Sequence, residues 1–165
     1  MHPMCQHCSM SRKPNMSLVD ETLTINRPIL EVFDFLSNHE NYARWFPDVV
    51  SITSVNDLPH GSVGKVYSEI IKLPTGRRHI TIDVVESQSP AVFVTEGNFP
   101  PLHPRMEVRL FEKSARESIL NWKFYSRSQS AFGRLIVGAL IRKSVAKQSE
   151  RGLKRLKILL EEGAT

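Results

Sequence analysis

Residues 105–126, RMEVRLFEKSARESILNWKFYS, contain two runs of alternating apolar and polar residues around a polar centre. Successive side chains of a β-strand point to opposite faces, so a period of two separates an apolar face from a polar one. The apolar face of the two runs consists of Met106, Val108, Leu110, Leu120, Trp122 and Phe124. The stretch therefore predicts two antiparallel strands of a sheet with one buried and one solvated face.

Five more strand-like runs precede this pair, and turn-forming residues bound each of them. They are residues 17–26, 49–55, 63–73, 77–87 and 91–97. The fourth run repeats the alternation, since Ile80, Ile82 and Val84 share one face. Together with residues 105–126, these runs predict one antiparallel sheet of about seven strands.

Two short helices are predicted between the first and second strands. Pro28 permits a helix start, because proline fits the first helical turn. One apolar stripe at helical spacing follows it: Ile29, Val32, Phe33 and Leu36. A second helix is expected over residues 42–45, before Pro47 ends it.

The last predicted element is a long helix, capped by Ser130 and running from Ala131 to about Glu162, with its period interrupted near Gly152. It is the only element long and apolar enough to cover the buried face of the sheet. Its first half is expected to do so with Phe132, Leu135, Ile136, Ala139 and Leu140.

The predicted fold class is therefore α+β. A curved antiparallel sheet of about seven strands wraps around the long C-terminal helix, with two short helices after the first strand. A strongly curved sheet and one helix cannot interlock along their whole length, so this arrangement suggests a cavity between them.

The first sixteen residues differ in composition from the rest, and we expect residues 1–16 to be a disordered leader and residues 17–163 to be one domain. The leader contains Cys5 and Cys8 at C-x-x-C spacing. A structural zinc site usually needs a second ligand pair, and none exists in the chain, so no metal is predicted.

The domain itself has no cysteine, which fits a reducing, cytoplasmic compartment. No apolar run approaches the roughly 20 residues of a membrane span.

The formal net charge is +5, and the excess lies in the C-terminal helix. Between Arg134 and Lys157, six further basic residues are opposed only by Glu150: Arg142, Lys143, Lys147, Arg151, Lys154 and Arg155. A solvated helix face is the simpler interpretation, and contact with RNA or an anionic membrane is the alternative. The basic residues spread around the helix and do not interleave with aromatics, which disfavours a nucleic-acid surface, and no DNA partner is expected.

Three segments and the terminal helix resemble the START-like superfamily, also called SRPBCC, of the polyketide cyclase/dehydrase and lipid-transport type. The segments are INRPILEVFDFLSNHENYARWFPDVVSI (25–52), GSVGKVY (61–67) and IDVVESQSPAVFVTEG (82–97). The resemblance spans residues 18–162 and implies the helix-grip fold. It also implies that the segment around Trp45 closes one end of a cavity, either as a structural plug or as a ligand contact.

The inward faces offer few groups suited to catalysis, so the sequence predicts an apolar pocket for a hydrophobic small molecule. The predicted ligand-binding residues are Trp45, Tyr67, Ile82, Met106, Val108, Trp122, Phe124, Ile136 and Leu140. No catalytic residue, cofactor or metal ligand is assigned, and the protein is expected to be a monomer or a homodimer. An aromatase/cyclase-like enzyme is the alternative, with Tyr67 or Glu96 transferring a proton.

Overall fold

The computed structural model describes residues 15–163. Residues 1–14, with Cys5 and Cys8, lie outside this range, so the predicted leader stays a prediction. The first strand begins at Met16. Within residues 15–163, no helix combines the length and the apolar content needed to cross a bilayer.

Seven strands form one antiparallel sheet in the order β1-β7-β6-β5-β4-β3-β2. Their bounds are β1 Met16–Ile25, β2 Val49–Ser54, β3 Val66–Leu73, β4 Gly76–Gln88, β5 Val92–Asn98, β6 Pro104–Ser114 and β7 Glu117–Ser126. Each strand lies within three residues of its predicted position, because period-two alternation is a local signal. The predicted α+β helix-grip fold is confirmed.

The predicted apolar face of the sheet is its buried face. Met106, Val108 and Leu110 on β6 are nearly inaccessible, as are Leu120 and Trp122 on β7. The register pairs Met106 with Phe124 and Val108 with Trp122. These cross-strand pairs therefore stack in rows across the concave face.

Helices α1 (Ile29–Ser37) and α2 (Tyr42–Trp45) follow β1, joined by one 3₁₀ turn at His39–Asn41. The C-terminal helix comprises α3 (Ala131–Ile136), a π-helical turn (Val137–Ile141) and α4 (Arg142–Glu161). Its start is capped as predicted, since Ser130 Oγ accepts a hydrogen bond from the backbone N–H of Gly133. The π-helical turn is the irregularity, and Gly152 lies within the regular helix α4.

The predicted packing of the helix's first half is wrong. The side chains of Phe132, Leu135 and Leu140 are 73%, 67% and 73% exposed. The buried residues of α4 instead include Val145, Leu153, Leu156 and Leu160. Only Leu140 of the three exposed side chains lines the cavity beneath the helix, and Phe132 and Leu135 are exposed to solvent without lining it.

Arg27 holds the far end of α4 against the start of α1. Its Nε donates a 2.6 Å hydrogen bond to the carbonyl of Leu160, and its Nη2 donates one of 2.9 Å to the carbonyl of Glu161. The last carbonyls of a helix have no partner within the helix and carry partial negative charge. The Arg27 guanidinium donates hydrogen bonds to these carbonyls and offsets their negative charge. This contact explains the arginine before Pro28 at the start of α1.

Candidate functional site

A cavity of about 400 Å³ lies between the concave face of the sheet and the C-terminal helix. The sheet contributes Ile80, Ile82, Met106 and Phe124, and the helix contributes Leu140, Ile141 and Val145. A third wall comes from α2 and the turn after it, with Tyr42, Phe46 and Pro47. The segment 99–102 lines it as well. The walls are mainly apolar, and the volume suits a small organic molecule.

The structure divides the nine predicted site residues into two groups. Four of them line the cavity: Ile82, Met106, Phe124 and Leu140. The other five lie outside its lining: Trp45, Tyr67, Val108, Trp122 and Ile136. All but Ile136 in this second group are at least nine-tenths buried, in the packed core.

Trp45 lies in the packed core behind one wall of the cavity. Its ring lies edge-on to that of Trp122, with centroids 6.4 Å apart, and edge-on to that of Phe46, at 5.7 Å. Phe46 in turn lines the cavity. The side chain of Trp45 thus fills the concave face beside Trp122, and the cavity occupies the end that Phe124 reaches.

The rim of the cavity includes a hydrogen bond between two elements far apart in sequence. Asp48 lies in the turn between α2 and β2, with a φ of 66°, and its Oδ2 accepts a 2.6 Å hydrogen bond from Gln148 Nε2. Both residues line the cavity. This contact joins α4 to the turn across the rim.

Sequence reasoning missed the polar part of the lining. His39, from the 3₁₀ turn, is 3% exposed, and Glu69, from β3, is 6% exposed. His39 Nε2 lies 3.8 Å from Glu69 Oε2. Alternation with the buried Tyr67 was a signal that Glu69 faces inward, whereas His39 gave no signal because it lies in a turn.

Tyr42 lies beside this pair. Its ring stacks on that of His39, with centroids 4.9 Å apart and an interplanar angle of 16°. Burial, and then the negative charge of Glu69, raise the pKa of Tyr42 well above its usual range. Its phenol therefore stays protonated near neutral pH and can donate a hydrogen bond.

The two candidate proton-transfer residues lie outside the cavity lining. Tyr67 Oη is 2.9 Å from His60 Nδ1. Glu96 forms ion pairs with Arg105 at 2.7 Å and with Arg127 at 3.0 Å. Glu96 therefore lies in an ion-pair cluster at the end of β5. Among the described residues, no three His, Cys, Asp or Glu side chains converge as metal ligands would.

The sequence model of a protein family, described as polyketide cyclase / dehydrase and lipid transport, matches residues 16–161. The chain belongs to this family. No curated protein matches the chain.

Solved structures share the fold of this family member at low sequence identity. A START superfamily protein from Mycobacterium smegmatis has a TM-score of 0.71 at 11% identity, over 90% of this chain and 99% of that one. A protein of unknown function from Staphylococcus aureus has a TM-score of 0.64 at 12% identity, over 91% and 97% of the two chains.

The di-domain aromatase/cyclase StfQ of the steffimycin biosynthetic pathway also shares the fold, with a TM-score of 0.68 at 13% identity. The match covers 90% of this chain but 52% of StfQ, so the chain spans about half the length of that protein. At such identities, these likenesses show the fold alone.

Proposed function

We propose that this chain binds a hydrophobic small molecule of the lipid, quinone or polycyclic class in the cavity between the sheet and the C-terminal helix. The observation that carries the proposal is a cavity of about 400 Å³ with mainly apolar walls. Burial of apolar ligand surface stabilises a complex by about 25 cal/mol per Å² before the entropic cost of binding. Membership of a family that includes lipid transport supports the same function.

Native mass spectrometry of freshly purified protein tests this function, followed by denaturing extraction of any bound molecule. We expect a hydrophobic passenger, or uptake from a panel of fatty acids, quinones and polyaromatics. Met106→Trp replaces a linear side chain of the cavity wall with a bulky indole ring and should abolish binding. Phe111→Trp is the matched control, because Phe111 is on the same strand and is 54% exposed. A protein without passenger or uptake, or equal binding by both variants, would contradict the proposal.

A second candidate function is contact with an anionic membrane, where a hydrophobic ligand would be collected or released. The observation that favours it is a set of exposed apolar side chains in the first half of the C-terminal helix, here called the apolar ridge: Phe132, Leu135 and Leu140. No acidic residue occurs between Ser130 and Glu150, whereas Arg142, Lys143 and Lys147 are exposed there. Exposed apolar side chains beside basic ones are typical of helices that bind at the membrane interface.

Cosedimentation with vesicles containing phosphatidylserine tests this second function. Phe132→Ser should reduce binding several-fold, because apolar insertion is lost while the charge is unchanged. Phe111→Ser, at an exposed phenylalanine outside the ridge, should leave binding unchanged. Equal binding by the wild type and Phe132→Ser, or preferential binding to RNA, would contradict membrane contact through the ridge.

A further inference from the structure

Glu69 interrupts an apolar row of the sheet. It lies on β3 and pairs with Ile52 on one neighbouring strand and with Ile80 on the other. All three side chains are at least nine-tenths buried. An aliphatic residue at position 69 would continue the row, whereas a buried carboxyl group without a hydrogen bond costs several kcal/mol. Stability therefore does not explain a glutamate at this position.

His39 lines the same cavity as Glu69. Its Nδ1 is buried and has no partner in the described part of the chain. Its Nε2 is 3.8 Å from Glu69 Oε2, which is too long for a direct hydrogen bond. Stacking on Tyr42 and tilted contact with Tyr67 hold the ring in place. Aromatic packing thus holds the imidazole with its Nε2 on the side of Glu69, where Nε2 is available to another group.

A hydroxyl group is the chemical group that suits both residues. It can donate its hydrogen to Glu69 while its oxygen accepts a hydrogen bond from His39 or from the phenol of Tyr42. A carbonyl could only accept, and a carboxylate would bring a second acidic group beside Glu69. A methyl group in the same place would leave the buried polar atoms without partners.

We propose that His39 and Glu69 form a polar anchor that binds a hydroxyl group of the ligand, so that the cavity prefers hydrophobic alcohols and phenols. This specificity rests on the proposed binding of a hydrophobic molecule. The apolar walls bind the body of such a molecule, and the anchor sets the orientation of its polar end. Selectivity of this kind arises because unpaired buried groups penalise an analogue that lacks the hydroxyl.

The test compares 2-naphthol with 2-methylnaphthalene, which differ in a hydroxyl and a methyl group of similar size. Calorimetric titration of the wild type should give about a tenfold preference for the hydroxyl compound, as expected for one well-satisfied hydrogen bond. Glu69→Leu and His39→Phe should each reduce this preference toward one. Both variants keep apolar packing, and their binding of 2-methylnaphthalene reports that the cavity is intact.

Asp83→Asn is the matched control, because Asp83 is an exposed carboxylate on β4 that does not line the cavity. This variant should keep the preference. If the wild type binds both compounds equally, or if the two anchor variants keep the wild-type preference, the anchor is wrong while hydrophobic binding stands. If the wild type binds neither compound, both the anchor and the proposed function are wrong.

Discussion

Gln148 of α4 and Asp48 of the turn after α2 lie 100 residues apart in sequence, and their side chains form a 2.6 Å hydrogen bond at the rim of the cavity. The bond is exposed and joins two of the cavity's walls. Movement of α4 away from the turn, which would widen the rim, requires this bond to break.

Loss of the rim hydrogen bond should accelerate ligand exchange. Gln148→Ala is expected to raise the dissociation rate of a bound fluorescent fatty acid about threefold, since one exposed hydrogen bond contributes about 0.5–1 kcal/mol. Stopped-flow displacement measures this rate. Lys147→Ala changes the exposed neighbouring residue, which does not line the cavity, and should leave the rate unchanged. Equal rates for both variants would show that the bond does not control exchange.

Trp45 and Phe46 are adjacent, yet we expect them to have different roles. Trp45→Phe should lower the free energy of unfolding by about 1–3 kcal/mol, because a ring that is 1% exposed leaves unfilled core volume. The affinity for an apolar probe should change little, since Trp45 does not line the cavity.

Phe46→Ala is the comparison, because the ring of Phe46 lines the cavity. This variant should weaken binding of the same probe several-fold in addition to lowering stability. Urea denaturation and probe titration measure the two effects separately. A larger loss of affinity in Trp45→Phe than in Phe46→Ala would contradict the assignment of Trp45 as a structural plug.

Arg27 should stabilise the fold through the last turn of α4. Arg27→Met keeps much of the aliphatic length and removes both hydrogen bonds to the carbonyls of Leu160 and Glu161. We expect a loss of about 1–2 kcal/mol, measured by chemical denaturation. Arg77→Met, at an exposed arginine on β4, serves as the control. A similar stability for both variants would refute the capping role.

Glu40 should make stability depend on pH through its contact with Ser54. Glu40 Oε1 accepts hydrogen bonds from the Ser54 hydroxyl at 2.8 Å and from its backbone N–H at 3.0 Å. The side-chain hydrogen bond from Ser54 is the largest cause that lowers the pKa of Glu40. A pKa lowered in the folded state means that ionised Glu40 stabilises the fold above its unfolded-state pKa of about 4.3. This contribution is lost as the pH falls through the folded-state pKa.

Glu40→Gln should therefore be less stable than the wild type by about 1 kcal/mol near pH 7, and the difference should shrink below about pH 4. Urea denaturation at both pH values measures it. Glu112→Gln, at an exposed residue of β6, should show no such trend. A difference that stays constant with pH would refute the assigned charge dependence.

The strands were predictable from local patterns of apolar and polar residues. The position and lining of the cavity depend on contacts between segments far apart in sequence. The alternation of Met106, Val108 and Leu110 placed β6 correctly, because each strand must bury one face whatever its neighbours are. Glu69 was harder to place, since Ser68 and Glu69 are both polar and neither face of β3 is clearly apolar in sequence. His39 lies in a 3₁₀ turn, where no period predicts burial.

The resemblance to a known family implied the helix-grip fold, and the sequence by itself determined the strands, the helices, their order and the buried face of the sheet. It determined these because side-chain periodicity, turn residues and caps act over a few residues. Only the tertiary structure decided where packing ends and the cavity begins. It brought Trp45 against Trp122, left Phe132 exposed, and placed His39 beside Glu69. Each of these outcomes depends on how the curved sheet meets one helix, which no single segment specifies.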